Sequence, residues 1–135
     1  MRKFLLALLA LPLVAGCGSD VATAADLAAA SGVYSLRTMN NVPLPFALIN
    51  TAAEYLEVTS DTVSMKGDGS FTDVTHYNRT QGSTNDSPVD SLSGSWTVKN
   101  GTITFDGNDG FRYVATLSGN TFTISGNGVI SLYSK

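Results

Sequence analysis

The sequence contains one cysteine, one histidine and few basic residues, and each scarcity excludes a class of function. Its 135 residues hold a single Cys and a single His, with eight Lys and Arg against eleven Asp and Glu. One cysteine cannot form an intramolecular disulfide, so a folded domain must be stabilised by its packed core alone. A metal site of the Cys and His type lacks a second such ligand. The acidic balance argues against a nucleic-acid partner, which requires a basic patch.

The main apolar run is also too short to cross a membrane. It extends from Phe4 to Val14, eleven residues, and follows Arg2 and Lys3, whereas a membrane-spanning helix needs about 20. A charged start, a short apolar run and the small residues after it have the order of a secretory signal. We therefore predict a signal peptide over residues 1–16.

The cysteine stands directly after this segment. Val14-Ala15-Gly16-Cys17 resembles the lipobox of bacterial lipoproteins, in which the cysteine is acylated and becomes the first residue of the mature chain. The resemblance implies palmitate-type lipidation of Cys17 and anchorage in the cell envelope, because several acyl chains bind a bilayer far more firmly than one. By family rules, Gly18 at the next position favours the outer membrane in a Gram-negative host. The alternatives are an ordinary signal peptide with a bystander cysteine and an uncleaved membrane helix.

The segment after the cysteine is small and rich in alanine. We predict a flexible tether over residues 17–31, with room for a short helical turn at Ala24–Ala30, followed by one domain over residues 32–135. Removing residues 1–16 leaves six basic and eleven acidic side chains, a net charge near −5 (6 − 11). We attribute this acidity to solubility.

From Gly32 onward, apolar residues alternate with polar ones, which is typical of strands with one face in a core and one in water. The apolar positions fall into short groups along the chain. They are Tyr34 and Leu36; Leu56 and Val58; Val63 and Met65; Leu92, Trp96 and Val98; Ile103 and Phe105; Phe111, Tyr113, Ala115 and Leu117; Phe122 and Ile124; and Ile130 and Leu132.

Tight-turn signals separate these groups. Asp68-Gly69 and Asn100-Gly101 predict short hairpins, and strands joined by such turns are antiparallel neighbours. We therefore predict an all-β fold, an antiparallel up-and-down meander of about eight strands that closes into a small barrel. Closure removes the two exposed edge strands of an open meander. A β-sandwich is the alternative.

Two stretches interrupt the alternation. Val42–Ile49 is apolar but contains two prolines, so it is not a central strand. We predict that it either plugs one end of the barrel or forms a mobile lid, with Phe46 and Leu48 as its contact residues. Arg79–Asp90 is polar, and we predict a long loop there.

Several of these segments resemble the small bacterial lipocalin-like lipoproteins. The similarity lies in Gly32-Val33-Tyr34-Ser35-Leu36, in Pro43-Leu44-Pro45 and in the hairpin that contains Gly94-Ser95-Trp96-Thr97-Val98. Tyr34 takes the place that Trp has in classical lipocalins. The resemblance implies a barrel that binds a small apolar molecule or lipid.

Inward-facing aromatic residues leave two functional interpretations. Tyr34, Trp96, Phe111 and Tyr113 are predicted to line a ligand cavity inside the barrel. The alternative is a solid core, since an eight-stranded barrel is only just wide enough for its side chains. The protein would then be an envelope structural or protein-interaction module, including an inhibitor of an exported hydrolase.

No residue pattern indicates an enzyme, a cofactor or a metal. Asp73 and the single histidine, His76, are three positions apart and point to opposite faces of a strand, and the chain has no Gly-x-Ser-x-Gly motif. Asp106–Gly110 departs from the calcium-loop pattern and is interpreted as a turn. The acidic residues Glu54, Glu57 and Asp61 are interpreted as solvated charges.

Overall fold

The computed structural model describes residues 21–135, which form one short helix and eleven strands. The predicted signal peptide, Cys17 and the first part of the predicted tether lie outside the described residues. Within residues 21–135, no helix is long and apolar enough to cross a membrane. The elements are α1 (Ala24–Ala30), β1 (Gly32–Met39), β2 (Val42–Pro43), β3 (Phe46–Asn50), β4 (Glu54–Met65), β5 (Ser70–Gln81), β6 (Thr84–Asp86), β7 (Val89–Lys99), β8 (Thr102–Gly107), β9 (Arg112–Ser118), β10 (Thr121–Gly126) and β11 (Val129–Ser134).

Eight of the strands close into an antiparallel barrel. Their order is β1-β11-β10-β9-β8-β7-β5-β4, and β4 pairs again with β1 through the register Gly32↔Met65 to Ser35↔Thr62. The prediction of an up-and-down barrel is confirmed, and the alternative of a sandwich is wrong. Strands β2, β3 and β6 lie outside this ring.

The two ends of the barrel differ. At the helix end, β1 begins at Gly32 and β7 ends at Lys99, and α1 packs there against the barrel core. At the open end, β1 finishes at Met39 and β4 begins at Glu54. The three additional strands all lie at the open end, because each follows or precedes a barrel strand there.

Helix α1 belongs to the folded domain rather than to a tether. Thr23 and Asp26 form a capping box that satisfies its first backbone N–H groups. Ala30 is buried and Leu27 packs against the core, while the Tyr34 hydroxyl donates a 2.8 Å hydrogen bond to the Ala30 carbonyl oxygen. The prediction that residues 24–30 belong to a flexible tether is therefore wrong, although a helical turn does form there.

Aromatic side chains fill the middle of the barrel. The Phe122 ring lies 4.8 Å from that of Tyr34 and 4.7 Å from that of Tyr133, measured between centroids. Phe71 and Phe105 meet edge to face at 5.0 Å. These contacts have the geometry that aromatic pairs prefer.

The segment predicted as a polar loop is instead a hairpin. Strand β5 continues to Gln81, the chain turns at Gly82 with φ +59°, and β6 pairs back onto β5. Arg79 forms an ion pair with Asp86, and Thr80 Oγ1 donates to Asn85 Oδ1 at 2.8 Å. Cross-strand pairs of this kind stabilise a ribbon that has no apolar face, so the polarity of Arg79–Asp90 did not mean a loop.

The proline-containing stretch forms edge strands. β2 pairs with the end of β1, and β3 pairs with the first half of β4. β2 and β3 are the first and last strands of the sheet order, which agrees with the prediction that Val42–Ile49 is not a central strand.

Three β-bulges change which residues face inward. The register shifts between Leu36 and Thr38 in β1, between Ala47 and Ile49 in β3, and between Val58 and Ser60 in β4. An extra residue reverses the alternation beyond it. As a result Val58 and Asp61, at even and odd positions of one strand, are both buried.

Candidate functional site

The barrel interior holds a cavity of about 240 Å³. Seven strands contribute to its wall, which is almost entirely apolar or aromatic and contains one acidic residue. The lining residues are Val63, Phe71, Asp73, Leu92, Phe105, Tyr113, Ile124 and Tyr133.

The volume limits the size of a ligand. Pockets for drug-sized molecules measure roughly 300–1,000 Å³, and a dry apolar cavity of about 150 Å³ holds benzene. A cavity of about 240 Å³ lies between these cases. It therefore suits a compact ligand of roughly ten non-hydrogen atoms rather than a long lipid chain.

Two carboxyl groups meet inside the barrel beside this cavity. Asp73 is on the cavity wall, and its neighbour on the adjacent strand, Asp61, is only 8% exposed. Asp61 Oδ2 accepts a 2.7 Å hydrogen bond from the Tyr133 hydroxyl. The Oδ1 atoms of both aspartates are buried and have no donor among the described side chains and backbone groups. A buried carboxylate oxygen without a donor is costly unless it is protonated or meets a ligand.

The electrostatics of the pair favour a bound proton. Burial raises the pKa of Asp73 to about 8, and the hydrogen bond and negative charge of the Asp61 carboxyl add to this rise. In the part of the chain that the structure describes, no basic side chain opposes the rise. Burial and the nearby charge of Asp61 also raise the pKa of the Tyr133 hydroxyl. At neutral pH the pair therefore holds a proton, and one carboxyl can donate to the other.

The predicted cavity residues are distributed over three environments. Tyr113 lies on the cavity wall, and its hydroxyl donates a 2.6 Å hydrogen bond to Asp109 Oδ2. Tyr34 and Trp96 are buried nearer the helix end and do not line the cavity. The Tyr34 hydroxyl is bonded to α1, and Trp96 Nε1 donates to the Lys66 carbonyl oxygen at 3.0 Å.

The prediction that Phe111 faces the cavity is wrong. Its side chain is 67% exposed. Phe111 shares the parity of Tyr113, but it lies in the turn before β9, where its carbonyl oxygen accepts from the Gly107 N–H and its own N–H donates to Asp109 Oδ1. Strand alternation does not extend into such a turn.

Phe46 and Leu48 lie in different surroundings. Phe46 packs against the core, whereas Leu48 is 42% exposed. The bulge between Ala47 and Ile49 separates them, so two residues two apart do not share a face. Neither lines the cavity, and their action as a lid or plug stays a prediction.

The remaining residues considered as catalytic or metal-binding candidates lie as follows. His76 is exposed while Asp73 faces inward, so the two side chains diverge. Asp106 binds Arg112 in an ion pair of 2.6 Å. Among residues 21–135, no group of three or more His, Cys, Asp and Glu side chains could hold a metal ion. The prediction that Asp61 is a solvated charge is wrong, because the bulge in β4 turns it inward.

A larger groove of about 600 Å³ lies outside the barrel at the helix end. Its wall is formed by α1, the residues before it and the hairpin turns that contain Gly101 and Gly119. The carboxylate of Asp26 in this wall is already engaged by the capping box. The interior cavity is the stronger candidate, because its wall carries a buried carboxyl oxygen without a donor in the described structure.

A comparison with protein families agrees with the barrel and its interior. The model of the lipocalin-like domain matches residues 31–124, from the residue before β1 into β10. The chain belongs to the lipocalin-like family. The matched part of this lipocalin-like domain includes Asp61 and Asp73, whereas Tyr133 in β11 lies beyond it. No curated protein and no solved structure matches the chain.

Three residues of the lipocalin-like site were missed from the sequence. Asp73 gave a signal, because it follows Phe71 at a spacing of two and so falls on the inward face. Asp61 gave a signal of the same kind, because it lies two residues before Val63, which was predicted to face inward, but it was interpreted as a solvated charge. Tyr133 was missed because Ile130 and Leu132 were predicted to face inward in β11. In the structure Ile130 is 50% exposed and Tyr133 is buried.

Proposed function

We propose that the lipocalin-like domain binds a small apolar molecule inside its barrel, on a chain that is held at the membrane by an acylated Cys17. The observation that carries the binding proposal is the cavity of about 240 Å³ inside the barrel. Burial of apolar ligand surface against such a wall is favourable by about 25 cal/mol per Å². No catalytic arrangement is part of the proposal.

The geometry supports a cavity that persists when empty. The edge-to-face pair of Phe71 and Phe105 lies on its inner side, and Phe105 is supported by Phe122 at 5.9 Å between ring centroids. The ring of eight hydrogen-bonded strands fixes the positions of these side chains. A pre-formed cavity binds with little loss of conformational entropy.

The binding proposal is tested with propylbenzene and the full-length chain in an NMR titration. In Leu92→Trp, which places a larger side chain in the cavity, we expect affinity to fall at least tenfold. Ser91→Trp is the matched control, because Ser91 is the exposed neighbour on the same strand. No binding by the natural chain, or equal binding by the two variants, contradicts the proposal.

The anchor is supported by Val14-Ala15-Gly16-Cys17 and by the charged and apolar segment before it. On these two features we propose that the protein is a bacterial envelope lipoprotein, located at the outer membrane where the host has one. Growth with radioactive palmitate tests this. Label in the natural chain and its absence from Cys17→Ser support lipidation, and label retained by Cys17→Ser contradicts it.

A second candidate function is contact with another envelope protein, which includes inhibition of an exported hydrolase. The observation that favours it is a group of exposed apolar side chains at the open end, namely Val42, Leu48, Val89, Phe111 and Ile130. A photo-cross-linking residue at position 111 should then capture one envelope protein, whereas the same residue at Val33, at the helix end, should not. Equal capture from both positions contradicts this candidate.

A further inference from the structure

We propose that the ligand of the barrel is a small primary amine with a compact apolar body, whose ammonium group binds between Asp61 and Asp73. The inference rests on the proposed function and adds the chemical class of the ligand. It is carried by the buried carboxyl pair, of which Asp73 lines the cavity and Asp61 is the neighbour of Asp73 on the adjacent strand.

The carboxyl pair has an unused capacity for hydrogen bonds. Asp61 Oδ1 and Asp73 Oδ1 are both buried, no group outside the pair donates to them among the described residues, and Asp61 is 92% buried (100 − 8). An ammonium group carries three N–H donors and no acceptor. It can therefore serve both oxygens at once, which a hydroxyl group with one donor cannot do.

The charge of the pair favours a cation over a neutral donor. The structure provides Tyr133 as a neutral donor to Asp61, and no basic group acts on Asp73 among the described residues. A buried carboxylate is stable only when it is paired or protonated. A ligand cation supplies the missing counter-charge, while the apolar remainder of the wall accommodates its hydrocarbon body.

The open end attracts cations as well. The half of the barrel at this end carries Arg37, Arg79 and Arg112 against six acidic side chains, and Arg79 and Arg112 are ion-paired. The formal balance is therefore −3 (3 − 6). Such a field raises the local concentration of cations at this end of the barrel. The six acidic residues are Glu54, Glu57, Asp86, Asp90, Asp106 and Asp109.

A divalent metal ion fits the site less well than an amine. Calcium takes six to eight oxygen ligands and magnesium demands near-ideal octahedral geometry. In residues 21–135 no third acidic or histidine side chain completes a metal-binding group with the pair. The rest of the cavity wall is apolar apart from the hydroxyls of Tyr113 and Tyr133.

Binding must exchange one proton with the solvent. The empty pair holds a proton on Asp73, because burial and the Asp61 carboxyl raise its pKa to about 8. When the ammonium group binds, that proton leaves for water and the two carboxylates bind the N–H donors. Below pH 8 the affinity for an amine should therefore rise about tenfold per pH unit, and it should level off above pH 8.

The groups that surround the pair do not obscure this exchange. Tyr133 on β11, Tyr77 on β5 and Tyr113 on β9 all have raised pKa values, the first two mainly through burial and the third through its hydrogen bond to Asp109, so they stay neutral below pH 9. Asp90 on β7 is exposed and acts on Tyr77. β8 and β10 contribute Phe105 and Ile124 to the wall, which do not titrate.

The test compares three probes that differ only in their terminal group: 2-phenylethylamine, 2-phenylethanol and propylbenzene. Calorimetric titrations of the full-length chain between pH 6 and pH 8.5 give affinity and proton release. At pH 8.5 we expect the amine to bind at least tenfold more tightly than propylbenzene. The amine should release one proton at pH 7, and the two neutral probes should release none.

Variants separate the carboxyl pair from the cavity. Asp73→Asn should abolish the preference for the amine and leave propylbenzene affinity within twofold. Asp68→Asn is the matched control, because Asp68 lies in the turn before β5 at the helix end, and it should keep the preference. The pH dependence in the natural chain requires no variant and tests the proposal even where a variant does not fold.

The outcomes are distinct. An amine that binds no more tightly than propylbenzene, or a preference retained by Asp73→Asn, overturns the amine proposal while the proposed function stands. Preference for 2-phenylethanol without proton release also overturns it and identifies a neutral ligand. Absence of binding by all three probes overturns the proposed function itself.

Discussion

The Tyr133 hydroxyl donates a 2.7 Å hydrogen bond to Asp61 Oδ2, across 72 residues of chain. β11 and β4 are not neighbours in the barrel, because β1 lies between them. The bond therefore passes over β1 on the inner side of the barrel and joins the two strands that flank it, β11 and β4. It also holds one carboxyl of the cavity pair in place.

Removal of this donor should destabilise the fold. Tyr133→Phe leaves Asp61 Oδ2 buried with no hydroxyl donor, and we expect the free energy of unfolding to fall by about 1–3 kcal/mol. Tyr55→Phe is the control, because the Tyr55 hydroxyl donates to Glu57 on a more exposed part of β4. Urea denaturation followed by the fluorescence of Trp96, the single tryptophan, measures both. A loss no larger than in Tyr55→Phe would show that Tyr133 does not support the pair.

The raised pKa of Asp73 predicts how stability depends on pH. The folded state keeps a proton up to about pH 8, whereas the unfolded chain loses it near the ordinary value of 3.8. This contribution is complete below pH 4 and is lost as pH rises to 8, with a slope of at most about 1.4 kcal/mol per pH unit. The difference in unfolding free energy between the natural chain and Asp73→Asn should therefore shift in favour of the variant from pH 5 to pH 8. A difference independent of pH would contradict the protonated pair.

Gly94 is required by close approach of the backbone. A Cβ atom there would overlap the Asp106 carbonyl oxygen and lie 2.8 Å from Phe71 Cε1. Gly94→Ala should destabilise the domain by about 1–3 kcal/mol or more. Gly126→Ala, where nothing lies within 4 Å of the new atom, should change stability by less than about 1 kcal/mol. Equal effects in thermal denaturation would contradict the overlap.

Tyr34 should control the attachment of α1. Tyr34→Phe removes the 2.8 Å bond to the Ala30 carbonyl oxygen and should cost about 1 kcal/mol. Hydrogen exchange should then accelerate at residues 27–31, while the amides of β8 and β9 keep their protection. Exchange that accelerates equally throughout the barrel would mean that the bond stabilises the whole core instead.

The barrel itself could be predicted because it follows from local patterns. Alternation with a period of two indicates strands, and a turn such as Asn100-Gly101 indicates antiparallel pairing. Both residues of this turn have positive φ, +50° and +76°, which asparagine and glycine tolerate best. The hairpin of β7 and β8 follows from that preference.

The site could be predicted only in part, because its residues depend on small irregularities. Tyr113 was found by alternation, and Phe111 was misplaced because alternation ends at the turn before β9. Asp61 was missed because it was interpreted as a solvated charge, although it shares the parity of Val63 and Met65 beyond the bulge in β4. The change of parity from Leu56 and Val58 to Val63 and Met65 indicates an irregularity in this strand, but strand pairing decides that it falls between Val58 and Ser60.

By itself, the sequence determined the strands and most of the turns, because each arises from residues a few positions apart, and closure into a barrel was predicted from the meander that they form. Only the tertiary structure decided that Asp61, Asp73 and Tyr133 meet beside a cavity. Their meeting depends on the register of separate strands and on the volume left by the aromatic residues. Neither quantity is local, so the polar centre of this apolar barrel appears only when the ring is closed.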